Sequence, residues 1–161
     1  MKKVLAIETS CDETAIALIE ASGGLKSPKF KILENLVSSQ IEIHKPFGGV
    51  VPNLAKREHI KNLPILFEQI TGKHSLSDIN FISVTVGPGL EPALWTGINF
   101  AKSIRKKGMR VVGASHLEGH LYSILLQRKN SGGNSFPAIA LIVSGGHTIL
   151  VLMKDLFYFY L

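Results

Sequence analysis

Apolar residues gather in short runs along the first forty positions. Val4 to Ile7 and Ala15 to Ile19 are strand-length, and the polar stretch Glu8-Thr9-Ser10-Cys11-Asp12-Glu13-Thr14 between them reads as the turn of a hairpin. Ser22-Gly23-Gly24 closes the second strand, Ile32 to Val37 supplies a third, and the Pro and Gly content of His44 to Gly49 reads as a loop. From Pro52 the period changes: Leu63, Leu66, Phe67 and Ile70 recur at helical spacing, with Gly72 placed to stop the helix. Phe81 to Val86 predicts a strand running into Gly87-Pro88-Gly89. Glu91-Pro92 then opens a helix whose buried face is Leu94, Ile98, Ala101 and Ile104, and Gly108 ends it. Arg110 to Val112 is a short strand, and Ser115 is an N-cap for a helix from His116 to about Gln127.

The polar, Gly-containing connector Asn130 to Ser135 marks a boundary between a first lobe, residues 1–130, and the start of a second, residues 131–161. Beyond it, Phe136 to Val143 and Thr148 to Met153 flank Ser144-Gly145-Gly146-His147, repeating the strand, turn and strand of the N-terminus. The echo points to two related lobes. Three antiparallel strands followed by alternating strand and helix predict an α/β fold with a mixed sheet. The aromatic run Leu156 to Leu161 reads as a truncation or an altered reading frame, because little remains for it to pack against.

With 161 residues, 45% of them hydrophobic and 19% charged, the chain can bury a core and is too apolar for disorder. Its longest apolar stretches, Ile139 to Val143 and Ile149 to Met153, fall far short of the ~20 residues a membrane helix needs. The apolar run behind Lys2 and Lys3 stops at Glu8, which does not fit a secretory signal. The expectation is a cytoplasmic protein without a membrane span. Cys11 is the only cysteine, which rules out an internal disulfide and a cysteine-built zinc site. A formal charge of +6 and a pI near 9.5 favour attraction to polyanions such as tRNA, although many basic domains bind none.

His116-Leu117-Glu118-Gly119-His120 is the most informative segment. Histidines four apart on a helix share a face and can bind one metal through imidazole nitrogens. Glu118 lies about 200° round the helix from His116, which argues against a metalloprotease and its H-E-x-x-H spacing. A surface pair of histidines would have the same spacing, and a third ligand, a carboxylate suiting iron or zinc equally, must come from elsewhere. Ile142-Val143-Ser144-Gly145-Gly146-His147-Thr148 places two glycines in a tight turn, where backbone N–H groups can approach an anion; an ordinary hairpin has this form too. Asp12 and Glu13, beside Ser10 and Thr14, could hold Mg²⁺ on phosphates or steer a proton, or be an acidic surface turn. Gly87-Pro88-Gly89 reads first as a strand-to-helix turn needing positive φ, and second as an anion site. Arg105-Lys106-Lys107 complements a helix C-terminus, and Arg57, Glu58, His59 and Lys61 lie on the first long helix. Neither group is assigned to RNA.

Taken in order and spacing, Ile7-Glu8-Thr9-Ser10-Cys11-Asp12-Glu13-Thr14, Gly87-Pro88-Gly89-Leu90, His116-Leu117-Glu118-Gly119-His120 and Val143-Ser144-Gly145-Gly146-His147-Thr148 resemble the tRNA N6-adenosine threonylcarbamoyltransferases, once labelled O-sialoglycoprotein endopeptidases. The resemblance runs from Lys3 to about Met153 and leaves out the last eight residues. It implies the actin-like, ribonuclease-H-like two-lobed ATPase fold, with this chain holding the first lobe and the opening hairpin of the second. It also implies transfer of a threonylcarbamoyl group from threonylcarbamoyl-AMP to the exocyclic amine of the adenosine beside the anticodon, in tRNAs reading codons that begin with A.

By the same resemblance, His116 and His120 match metal ligands, for Fe²⁺ first and Zn²⁺ second. Ile142, Val143, Ser144, Gly145 and Gly146 match the adenylate-binding loop for an ATP- or AMP-type nucleotide, and Asp12 and Glu13 match acidic residues of the catalytic cleft. The family's third metal ligand, an Asp near the end of the full-length protein, has no counterpart here, so the chain is expected to be incomplete as a catalyst. Implied partners are tRNA, threonylcarbamoyl-AMP and proteins of the same pathway, including a paralogous scaffold. Two alternatives stand beside this reading. The Leu117-Glu118-Gly119 context and the Ser144-Gly145-Gly146 turn speak against a related carbamoyltransferase acting on a small molecule or protein thiol. The paired histidines speak against a non-catalytic scaffold paralogue, while a binding fragment of the same fold stays open.

Overall fold

Leu5 and Ile7 are buried while Val4 and Ala6, on the opposite face of the strand, are half-buried, so β1 (Lys2–Glu8) has one face committed to a core. A computed structural model describes residues 1–24, 28–123, 136–143 and 148–155, and the backbone of 159–160. It divides into two compact units, Met1–His116 and Leu117–Leu161.

In the first unit, β1, β2 (Glu13–Ser22) and β3 (Lys29–Ser39) form an antiparallel meander, with Val4 opposite Ile19 and Ala15 opposite Val37. β4 (Ile79–Gly87) and β5 (Arg110–Ser115) join the other edge of β1 in parallel, giving the order β3-β2-β1-β4-β5. The predicted mixed α/β sheet is therefore present. Parallel neighbours need a crossover, and α2 (Pro52–Thr71) and α3 (Glu91–Ile104) supply it. Leu5, Ile7, Ile16, Leu18, Ile82 and Val84 of the sheet meet Leu63, Leu66 and Ile70 of α2 and Ala101 of α3 in one core. Phe67 and Phe100 join the two helices edge to face, with ring centroids 5.7 Å apart.

Several predicted boundaries move. β3 is longer than Ile32 to Val37 because its exposed polar ends, Lys29 and Ser39, still pair with β2. The predicted loop from His44 contains the end of a short helix, α1 (Ile41–His44), and a 3₁₀ turn, Lys45–Phe47. α3 stops at Ile104 rather than at Gly108, so Arg105-Lys106-Lys107 lies just past the helix end. Ser115 is the last residue of β5 and leads directly into α4 (His116–Tyr122). The predicted end of that helix at Gln127, the connector Asn130 to Ser135 and the turn Ser144 to His147 lie outside the described residues.

The second unit contains the predicted hairpin: β6 (Ala138–Val143) pairs antiparallel with β7 (Thr148–Met153), Val143 facing Thr148. One face of the hairpin packs Ala138, Ala140, Ile142, Ile149, Val151 and Met153 with Leu121 and Tyr122. Ile139, Leu141, Val143, Leu150 and Leu152 form the other face and are exposed. Phe159 and Tyr160, in the run expected to have little to pack against, pair through the backbone as a short strand, β8 (Phe159–Tyr160), antiparallel to β7. No described helix is long and apolar enough to cross a membrane.

Candidate functional site

Strand alternation puts Glu8 on the sheet face opposite Leu5 and Ile7, and Thr85 opposite Ile82 and Val84. Glu8 ends β1, Thr85 lies near the end of β4, and His116 follows the last residue of β5. These three strands are parallel, so their carboxyl ends share one edge of the sheet, the place where open α/β sheets bind ligands. The side chains meet there. Thr85 Oγ1 donates to Glu8 Oε2 at 2.6 Å, the Ser10 backbone N–H donates to Glu8 Oε1, and His116 Nδ1 lies 3.2 Å from both Glu8 Oε2 and Ser10 Oγ.

Burial alone would raise the Glu8 carboxyl, but hydrogen bonds from Thr85, Ser10 and His116 outweigh it and hold the group below its ordinary value. Glu8 is thus an anion at neutral pH. An anionic carboxylate only accepts, so Nδ1 of His116 carries a proton toward it, which in the neutral ring places the lone pair on Nε2. This is the arrangement by which proteins orient an imidazole as a metal ligand.

The turn that follows Glu8 is clamped from below. Thr9 Oγ1 donates to the Ala93 carbonyl at 2.9 Å and Leu90 N–H to the Ser10 carbonyl at 2.7 Å. A Cβ at Gly89, whose φ is +159°, would come within 2.6 Å of the Ser10 carbonyl oxygen. Gly87-Pro88-Gly89 thus joins β4 to α3 as the expected strand-to-helix turn, and Gly89 within it lets two backbones approach closely.

Asp12 sits half-buried at the turn tip, and Glu13, exposed, begins β2. Thr14 turns inward with Oγ1 2.8 Å from His59 Nδ1. Burial and the neighbouring Asp12 charge push the Cys11 thiol up, which keeps it protonated and suits neither a nucleophile nor a metal ligand. His120 lies four residues after His116 in α4. Among the described residues no group of three His, Cys, Asp or Glu side chains could hold a metal ion. Ile142 packs in the core of the second unit and Val143 ends β6; Ser144, Gly145 and Gly146 lie outside the described residues.

Sequence reasoning missed the part played by Glu8 and Thr85, and missed Gln40, His44 and His59, which are buried behind the turn. A signal existed for two of them. Glu8 falls on the non-core face at a strand's carboxyl end, and His59 occupies the apolar stripe of α2, four residues after Ala55 and four before Leu63.

A family model described as tRNA N6-adenosine threonylcarbamoyltransferase matches residues 31–161. The likeness thus continues through the last eight residues, which the motifs had left out. Enzymes of that name from Thermosipho melanesiensis and Bacillus subtilis are 49% and 46% identical over 155 residues, 94% of this chain. The chain spans 44% and 42% of their lengths. Among solved structures, an Aquifex aeolicus PPX-GPPA enzyme superposes with a TM-score of 0.53 at 14% identity, covering 99% of this chain and 51% of that one. A Pseudomonas aeruginosa protein with similarity to the peptidase YEAZ gives 0.50 at 19%, covering 76% and 49%. These likenesses show the fold alone, and it is the actin-like, ribonuclease-H-like one that the motifs implied.

Proposed function

The chain belongs to the tRNA N6-adenosine threonylcarbamoyltransferase family, and from that premise we propose that it carries the first-lobe share of a threonylcarbamoyl-transfer site. The N6 amine of the adenosine beside the anticodon attacks the carbamoyl carbon of threonylcarbamoyl-AMP. An N–C bond forms, the bond from that carbon to the phosphate oxygen breaks, AMP leaves, and the amine gives up one proton.

The observation that carries this reading is the Glu8 carboxylate against Nδ1 of His116, at the carboxyl ends of three parallel strands. His116 and His120 would hold a divalent metal, Fe²⁺ or Zn²⁺, for which imidazole is a fitting donor. Bound there, the metal would supply Lewis acidity toward the carbamoyl oxygen. Asp12 and Glu13 take up the amine proton or hold cations on the phosphates. The segment Ile142, Val143, Ser144, Gly145 and Gly146 would offer backbone N–H groups to the phosphate of the adenylate, and of ATP or AMP at the same loop. The net charge of +6 supports tRNA as the acceptor. Pathway proteins, a paralogous scaffold among them, complete the assembly in the cytoplasm. The remaining metal ligand comes from the part of the family's length that this chain does not span.

Calorimetric titration of the chain with Fe²⁺ under anaerobic conditions and with Zn²⁺, each with and without AMP, tests the assignment. One metal per chain should bind, and a His116→Ala, His120→Ala double variant should lose it. No binding by the wild type, or equal binding by the double variant, would remove the metal site from the proposal.

A further inference from the structure

Behind the Cys11–Asp12 turn lies a second polar cluster that the proposed reaction does not use. Thr14, Gln40 and His59 are 0% exposed and His44 is 3% exposed. Their hydrogen bonds run in one direction. The Val51 backbone N–H, which can only donate, lies 3.3 Å from His44 Nδ1, so that nitrogen accepts and the His44 proton is on Nε2. Nε2 lies 3.0 Å from Gln40 Oε1, which fixes the Gln40 amide with its nitrogen turned the other way. That nitrogen donates to His59 Nδ1 at 3.3 Å and to Thr14 Oγ1 at 3.5 Å, and the Thr14 hydroxyl lies 2.8 Å from the same ring nitrogen. His59 Nδ1 is therefore an acceptor too, and Nε2–H donates to the Cys11 carbonyl at 3.0 Å. The Gln40 backbone N–H donates to the Asp12 carbonyl at 2.9 Å.

The series starts at a backbone donor and ends at a backbone acceptor, so both ends dictate the tautomers between them. Both rings are neutral with the proton on Nε2: a second proton on His44 would face the Val51 N–H, and one on His59 would face the Gln40 amide. We propose that Gln40, His44 and His59, with Thr14, form a neutral, tautomer-locked strut that holds two consecutive carbonyls of the turn, making His59 a positioning residue for Asp12. That Asp12 belongs to a reactive site rests on the function proposed above. Burial also pushes the His59 imidazole below its ordinary value, which agrees with a neutral ring.

Long-range ¹H–¹⁵N correlation spectra of the full chain read the tautomers directly. At neutral pH both His44 and His59 should show a protonated Nε2 and a bare Nδ1; a protonated Nδ1 on either ring overturns the strut. Amide exchange reads its effect on the turn. In His59→Leu the Gln40 amide should exchange about tenfold faster while the Leu90 amide, on the other side of the turn, keeps its rate. His59→Gln, which can still accept and donate, should restore most of the protection, and alkylation of the exposed Cys11 should rise and fall with it. Unchanged Gln40 exchange in folded His59→Leu defeats the proposal. If that variant does not fold, Thr14→Val decides, with about threefold faster exchange expected and wild-type exchange counting against the strut. None of these measurements needs metal, nucleotide or tRNA. A missing metal isotherm therefore removes the metal site from the proposed function, and a wrong tautomer removes the strut.

Discussion

Two histidine clusters flank one hairpin turn, and they are built on opposite terms. On one side His116 faces the ionised Glu8 carboxylate, with that side chain 32% exposed and Thr85 and Ser10 converging on it. On the other side His59 faces a hydroxyl, an amide and a carbonyl, none of them charged, and is fully buried. A carboxylate at Nδ1 favours positive charge or a metal at the opposite nitrogen. Neutral partners and burial favour the uncharged ring and leave no place for a ligand. The residue type is the same, and the groups facing it differ in charge and in their access to solvent.

The sharpest way to break this contrast is to remove polarity from the sealed side. His59→Leu takes the ring away from the Gln40 amide, the Thr14 hydroxyl and the Cys11 carbonyl, leaving Gln40 and Thr14 only their 3.5 Å contact with each other, and should lower the unfolding free energy by about 3 kcal/mol in urea. Glu8→Gln, on the open side, should cost about 1 kcal/mol or less, because solvent reaches the group, yet weaken metal binding about tenfold by calorimetry. Equal stability losses would mean that the two clusters do not differ in kind. The smallest effect is in pH. The folded state keeps His59 neutral below its ordinary value, so the unfolded chain binds more protons there. The His59 contribution should be complete above about pH 6.5 and decline as the pH falls below it. Urea unfolding at neutral and mildly acidic pH should show a steeper loss in wild type than in His59→Gln. The Glu8 contribution, also from a lowered carboxyl, is lost only in the more acidic range about and below the ordinary carboxylate value of ~4.3, so the two sides separate along the pH axis.

The strands and helices were legible because their signals are local. Val4 to Ile7 and Ala15 to Ile19 are apolar runs of strand length on either side of a polar turn, which is enough to give the hairpin, and Leu63, Leu66 and Ile70 give α2. The ends were less legible. Lys29 extends β3 through backbone pairing, which hydropathy does not register, and α3 ends at Ile104 although Gly108 is the nearest glycine. The motifs named His116, His120 and Asp12 as candidates, but not why Glu8 precedes the turn. Glu8 meets Thr85 and His116 across 77 and 108 residues of sequence, contacts that only the parallel pairing of β1 with β4 and β4 with β5 creates. His59 was hidden by composition: beside Arg57, Glu58 and Lys61 it reads as part of a charged run, whereas the helical stripe assigns it to the interior.

The topology also sets an order of assembly. β1, β2 and β3 pair through short connections, so the meander can form early on loops that cost little entropy to close. β4 can dock on β1 only after the intervening chain, α2 included, has been brought back to the sheet. The Thr85–Glu8 hydrogen bond lies at that late seam, one step beyond the last paired residues, Ile7 and Val84. This edge of the sheet is consequently expected to be among the last parts of the first unit to form during folding. In a refolding experiment a probe at Thr85 would mature after one at Thr14, and an immature chain would carry a complete hairpin and no site.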